Sequence, residues 1–280
     1  MSNKETEPVT PHGDEDRRDI AKRGLILKVL VGSGVHGTAI EGTDDTDYMG
    51  ICIEPPESLI GLAPPWSRPF EQYQYRSAAE RSGIVDAPSG PDDVDEVVYS
   101  LRKWLRLALA GNPTVLLPLF TPEEHIIVID KWGREVRRAV PEFAPSRSAG
   151  ERFLGYFRAQ REKMLGVRSH TSRPELEAEH GFDTKFAMHM IRLGIQGIEY
   201  METGRITLPL AEPDRTWLVE LRQGQHSVEE ALQRAEHLEV RLEDLNLTSS
   251  LPRWPDYERA NRWLVKIYLD YWEDRMAALD

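Results

Sequence analysis

Two aspartates one residue apart, Asp45 and Asp47, follow a Gly32-Ser33 pair within GSGVHGTAIEGTDDTDYMG, residues 32–50. In an extended chain they project to one face, with Cα atoms about 7 Å apart at a rise of roughly 3.3 Å per residue. Bare carboxylates that close repel and tend to hold a proton between them, whereas divalent cations favour both ionised forms. In a two-metal site the ions stand about 3.5 to 4 Å apart, a gap that carboxylates on one strand face can bridge. The residues just ahead, VLVGS, add a second chemistry. A buried strand that delivers Gly-Ser to a turn offers backbone N–H groups and a hydroxyl to an anion without steric obstruction. On its own, the run GTDDTD, which includes Asp44, reads as a solvated Asp-rich turn. The strand and the Gly-Ser turn in front of it shift the balance toward a combined metal and phosphate site.

These residues need a scaffold. The apolar run from Leu25 to Val31, broken only by Lys28 and stopped by Gly32, has the length of a buried strand. ICIEPPESLIGL is a strand ended by Pro55 and Pro56, which supply no backbone donors. Residues 76–93, rich in Gly, Pro, Ser and Asp, read as a long exposed loop. DEVVYSLRKWLRLALAGNP enters as a short strand or helix start and becomes an amphipathic helix, with Leu101, Trp104, Leu105 and Ala108 on one stripe and Gly111 and Pro113 as its stop. From about residue 148 the periodicity is nearly all helical, with segments near 150–166, 183–203, 227–244 and 255–278. The expected organisation is a mobile tail over residues 1–20, a mixed α/β unit over 21–147 that carries the site, and a helical unit over 148–280.

In the segment 183–203, Ala187, Met190, Ile191, Gly194, Ile195 and Ile198 make a core stripe. Opposite them Lys185, His189, Arg192 and Gln196 form a polar stripe, read either as a reach toward triphosphate or acceptor or as a solvated face. Arg102, Lys103 and Arg106 read as a solvated face ahead of a surface for an acceptor nucleic acid, and Tyr156 and Gln160 as packing ahead of base or sugar contacts.

A formal net charge of -12 argues against coating extended duplex DNA by charge neutralisation. It does not exclude a nucleotide, because a triphosphate arrives with its own divalent cations. No apolar stretch approaches the roughly 20 residues of a membrane span, and the first residues lack a secretory apolar core, so the expected location is the cytoplasm. The single cysteine, Cys52, excludes an internal disulfide and a Cys-rich zinc site, and reads as packing.

The strand, Gly32-Ser33 and Asp45-Thr46-Asp47 pattern resembles the signature of the DNA polymerase β nucleotidyltransferase superfamily. With YSLRKWLRLALAGNPTVLLPLF and GFDTKFAMHMIRLGIQGIEYMETG, it resembles the bacterial and phage branch related to a polymerase-β-like family linked to RNA repair. The resemblance runs from about residue 25 to the end. It implies an α+β fold, a mixed sheet with flanking helices followed by a helical C-terminal domain. Gly32 and Ser33 would hold the nucleotide's phosphates, and Asp45 and Asp47 would ligate metal. The superfamily's third carboxylate falls on Asp95, at the entrance to the apolar Val97 and Val98, with Asp93 and Glu96 as competitors. Lys185 becomes a phosphate contact, with His189 beside it; Phe186 stands where related chains often carry a histidine.

The implied activity is transfer of a nucleoside monophosphate from an NTP such as ATP, with Mg2+ (two ions, or Mn2+ in its place), to an RNA end, a protein hydroxyl or a small molecule. No enzyme nucleophile is required. The alternative from another class is a non-catalytic nucleotide sensor or partner-binding protein on the same fold, which loss of one carboxylate would favour. A metal-dependent phosphohydrolase fits less well, because such sites usually add histidine ligands and the histidines here are scattered.

Overall fold

In a computed structural model that describes residues 15–40, 42–62, 69–84, 87, 89–167 and 173–277, the first element is helix α1 (Glu15–Arg23). Residues 15–20 are therefore helical where a mobile tail was expected; the remainder of that tail lies outside the described residues. Ala21 of α1 is buried against Cys52, Val98 and Phe70, which anchors the helix to the sheet.

The sheet is built from β1 (Leu25–Leu30), β2 (Thr46–Cys52), β3 (Gln72–Arg76), β4 (Val94–Ser100) and β5 (Ile126–Ile129) in the order β3-β4-β2-β1-β5. It is mixed: β2 and β4 run parallel, and β1/β2, β1/β5 and β3/β4 are antiparallel. Alternation sorts the faces. Val29, Met49 and Ile51 point into the main core, whereas Lys28 and Glu96 meet on the opposite face in a 2.9 Å ion pair.

Short helices α2 (Gly32–His36), α3 (Pro56–Ile60) and α4 (Ser77–Ser82) lie between the strands. Helix α4 corrects the reading of 76–93 as one long loop. Its Ala78 and Ala79 are buried, a signal too short for periodicity to reveal. Helix α5 (Leu101–Leu109) starts at Ser100, whose hydroxyl accepts from the Lys103 N–H, and buries Leu101, Trp104, Leu105 and Ala108 as expected. The Trp104 indole N–H donates to the Val115 carbonyl at 3.0 Å, which makes full burial of that ring tolerable. Helices α6 (Leu117–Phe120) and α7 (Lys131–Ala139) complete this part, α7 being capped by Asp130 through the Trp132 and Gly133 N–H groups.

The remaining chain is helical: α8 (Ser148–Met164), α9 (Pro174–His180), α10 (Thr184–Thr203), α11 (Asp214–Arg222), α12 (Val228–Thr248) and α13 (Tyr257–Ala277). Helices α9 and α11 fall between the helices expected from periodicity. Helix α10 is the hub, packed on α8, α11 and α12. A Cβ at Gly197 would stand 3.0 Å from both Leu242 and Phe153, so the bare glycine permits this close three-helix approach. The main core is continuous across residue 148, from Ile26 of β1 to Tyr271 of α13. Helix α13 returns to the sheet, where Tyr268 bonds Glu54 at 2.8 Å and the Trp272 indole donates to the Glu54 carbonyl at 3.0 Å.

Candidate active site

Parallel pairing of β2 with β4 sets Asp47 opposite Asp95. Both side chains lie on the core-side face of the sheet, and Asp45 joins them from the residue just before β2. One oxygen from each of Asp45, Asp47 and Asp95 lies within 4.8 Å of the others, the only such acidic or metal-ligating cluster among the described residues. All three carboxylates retain partial exposure.

The two competitors for the third carboxylate, Asp93 and Glu96, lie elsewhere. Asp93 is buried in a structural network, accepting from Ser77 Oγ at 2.7 Å and the Gly90 N–H at 2.9 Å and pairing with Arg81 at 2.9 Å. Glu96 faces Lys28 on the reverse of the sheet. Asp95 is itself held by Arg76 at 3.1 Å and by Ser89 Oγ at 3.0 Å, whereas Asp45 and Asp47 make no ion pair among the described residues.

Burial raises the Asp47 carboxyl to about 7, helped by the charges of Asp45 and Asp95 and opposed by Lys185. At neutral pH this group is therefore close to half-protonated until a cation offsets its neighbours. Three hard oxygen donors, without histidine or cysteine, fit Mg2+ or Mn2+ and suit zinc poorly.

The Gly-Ser turn lies against this cluster. Strand β1 ends at Leu30, the Val31 N–H donates to the Asp47 carbonyl at 2.9 Å, and the chain turns into α2 at Gly32. Gly32 has φ +69, and a Cβ there would stand 2.1 Å from Asp47 Oδ2. Any side chain would thus be strained and would collide with the carboxylate. Ser33 follows at the start of α2, where backbone N–H groups lack intrahelical acceptors. Where the sequence suggests a simple turn, the chain makes one helical turn closed by Gly37 at φ 70.

Lys185 and His189 arrive from α10. Lys185 Nζ lies 3.2 Å from Asp44 Oδ1, beside the cluster. Asp44 also receives Arg222 at 2.6 and 2.8 Å and the Ile40 N–H at 3.0 Å. Burial alone would raise the Asp44 carboxyl, but the Arg222 and Ile40 hydrogen bonds and the charges of Arg222 and Lys185 outweigh it and hold the group far below the usual carboxylate range. Asp44 is therefore an anion that orients cations, distinct in role from its neighbours.

His189 is kept neutral by burial first and then by Arg192, Lys185, Arg222 and Arg173. The polar stripe of α10 is not a solvated face: Gln196 is buried and, with Arg192, contacts His36 of α2. Sequence reasoning missed Arg222, because its partner lies 178 positions away and nothing local marks it. Arg102 remains exposed, while Lys103 and Arg106 pair with Glu71, each at 3.1 Å. Tyr156 accepts from Asn112 Nδ2 at 3.0 Å, tying α8 to the segment after α5.

Comparison with known proteins adds three findings. A solved structure, a nucleotidyltransferase-like protein from Exiguobacterium sibiricum 255-15, is similar at 13% identity over 84% of this chain and 74% of that chain, with a TM-score of 0.28, too low to support an argument. No curated protein matches. The sequence matches the family described as RlaP, RNA repair pathway DNA polymerase beta family, over residues 10–266. With a match over most of its length, the chain belongs to the RNA repair pathway DNA polymerase beta family.

Proposed function

We propose that this protein is a metal-dependent nucleotidyltransferase that moves a nucleoside monophosphate from an NTP to an acceptor hydroxyl, with release of pyrophosphate. The observation that carries the reading is the convergence of Asp45, Asp47 and Asp95 beside the Gly32-Ser33 turn. Family membership supports it at the level of nucleotidyl transfer. The family's description favours an RNA end as acceptor, ahead of a protein hydroxyl or a small molecule.

In this reading Asp45, Asp47 and Asp95 hold Mg2+, in one or two ions. Bound there, Mg2+ supplies charge neutralisation of the triphosphate and a lowered pKa for the attacking hydroxyl. The chain's own residues do the rest. Asp47 gives up its proton as the cation site fills, and Asp95 is kept in line by Arg76 and Ser89. The N–H groups opening α2 and the Ser33 hydroxyl donate to phosphate oxygens. Lys185, tethered by Asp44, adds a positive charge on the same side. The bond formed joins the acceptor oxygen to the α-phosphorus, and the bond broken releases pyrophosphate. The three carboxylates are intact, so the loss that would have favoured a non-catalytic sensor is not found.

The test uses NTPs labelled separately at the α- and γ-phosphate, with Mg2+ and RNA, protein and small-molecule acceptors. The α-label should move to an acceptor while the γ-label appears in pyrophosphate. Asp95→Asn should abolish transfer and Glu96→Gln should leave it intact. Movement of the γ-label, or release of orthophosphate alone, would mean a phosphotransferase or phosphohydrolase instead.

A further inference from the structure

Arg192 sits in surroundings that do not balance its charge. It belongs to α10, two turns beyond Lys185, and makes three contacts, all to neutral groups: His36 Nε2 at 2.8 Å, Gln196 Oε1 at 3.0 Å and His189 Nδ1 at 3.4 Å. Among the described residues it forms no ion pair, and its Nε is buried without a hydrogen-bond partner. Burial lowers its pKa only to about 10, so it remains a cation at neutral pH. A buried charge left unpaired is costly, whereas nearby cations have partners: Lys185 and Arg222 share Asp44, and Arg173 pairs with Asp183 at 3.2 Å. Lys185 and Arg222 already share the Asp44 carboxylate, so Arg192 has no acidic partner of its own among the described residues.

The position of that unpaired guanidinium is informative. His36, which contacts Arg192, closes the short helix opened by Gly32 and Ser33, and burial beside Arg192 keeps its imidazole neutral. Gln196 reaches the other ring nitrogen at 3.1 Å. The guanidinium is thus fixed against the α2 turn while the residue keeps partial exposure. It lies seven positions beyond Lys185, about 10 Å along the helix axis at ~1.5 Å per residue. Lys185 and Arg192 are therefore spaced to meet different parts of one extended anion, and a guanidinium is suited to two-pronged contact with phosphate.

We propose that Arg192, fixed by His36 and Gln196, is a phosphate-binding residue of this site and takes a distal phosphate of the incoming triphosphate. The proposal rests on the nucleotidyl-transfer reading for the identity of the anion, but its test does not need turnover. It assigns to His36 and Gln196 the work of positioning.

The probe is inorganic tripolyphosphate with Mg2+, titrated by calorimetry into the full chain and into Arg192→Gln, with the parent nucleoside as a control. Arg192→Gln should bind tripolyphosphate about 10- to 100-fold more weakly, the range for loss of charge-assisted hydrogen bonds, with nucleoside affinity unchanged. Equal affinity in the two proteins, or no binding by the unaltered chain, would overturn the proposal. Should Arg192→Gln not fold, the unaltered protein still decides the matter. Tripolyphosphate should protect Arg192 from phenylglyoxal, read by peptide mass spectrometry, and modification at the same rate with and without it would refute the assignment. Transfer of α-label combined with Arg192-independent binding removes this inference and leaves the proposed function standing. Arg192-dependent binding without transfer to any acceptor does the reverse.

Discussion

Replacing Asp47 with asparagine removes one ionisation while keeping shape, and its effect on stability should depend on pH in a defined direction. The carboxyl has an ordinary value of 3.8 and is raised to about 7 in the folded protein. Between those values the folded state holds a proton that the unfolded state has lost, so stability falls as pH rises through that window and levels off above it. Moving one carboxyl that far costs at most about 4 kcal/mol, at ~1.36 kcal/mol per pKa unit, and about half that once solvent screens the neighbouring charges. Asp47→Asn should therefore match the unaltered protein near pH 4 and exceed it by about 2 to 4 kcal/mol at pH 8. Urea unfolding followed by circular dichroism from pH 4 to pH 8 reads this difference. Added Mg2+ should stabilise the unaltered protein at pH 8 and leave the variant unmoved, because a ligand bound only to the folded state raises its stability. A gap that does not change with pH, or a variant less stable at pH 8, would refute the argument that burial, helped by the charges of Asp45 and Asp95, raises Asp47.

Gly32→Ala places a Cβ against Asp47 Oδ2 at φ +69, so it should lose about 1 to 3 kcal/mol of stability and nearly all transfer activity, checked by urea midpoints and the labelled-NTP assay. Asp44→Ala strips the counter-charge from a buried Arg222 and should cost about 3 to 5 kcal/mol by the same midpoints. Because the Asp44 carboxyl is held below its ordinary value, its contribution is fully present above the ordinary carboxylate range and lost as pH falls below it. A stability difference that persists unchanged into acid would count against that pairing. Trp104→Ala, which empties a fully buried indole site, should cost about 3 to 5 kcal/mol without changing which phosphate label is transferred.

The parts that sequence revealed are those with short-range periodicity. Asp45 and Asp47 share a face because a strand alternates every second residue, and Leu101, Trp104, Leu105 and Ala108 share one because a helix repeats every 3.6. The family resemblance implies a third carboxylate and the strand entrance points to Asp95, but its separation from Asp93 and Glu96 depends on the parallel register of β4 on β2, a pairing across 48 positions. The Arg222–Asp44 pair and the contact of Arg192 and Gln196 with His36 are longer-range still, fixed by how α10 and α11 dock on the α2 turn. Helix α1 was hidden for another reason: EDRRDIAKR holds two apolar residues, Ile20 and Ala21, too few for an amphipathic signal. Its order comes from the sheet that receives it.

The most direct test of the site is to count divalent ions. Mn2+ titrated into the protein with a non-hydrolysable NTP analogue, followed by electron paramagnetic resonance, should show tight binding of one or two ions that Asp47→Asn and Asp95→Asn each abolish in a folded protein. Mn2+ and analogue binding that persists unchanged in both variants would contradict the claim that these carboxylates gather the cations that hold the nucleotide.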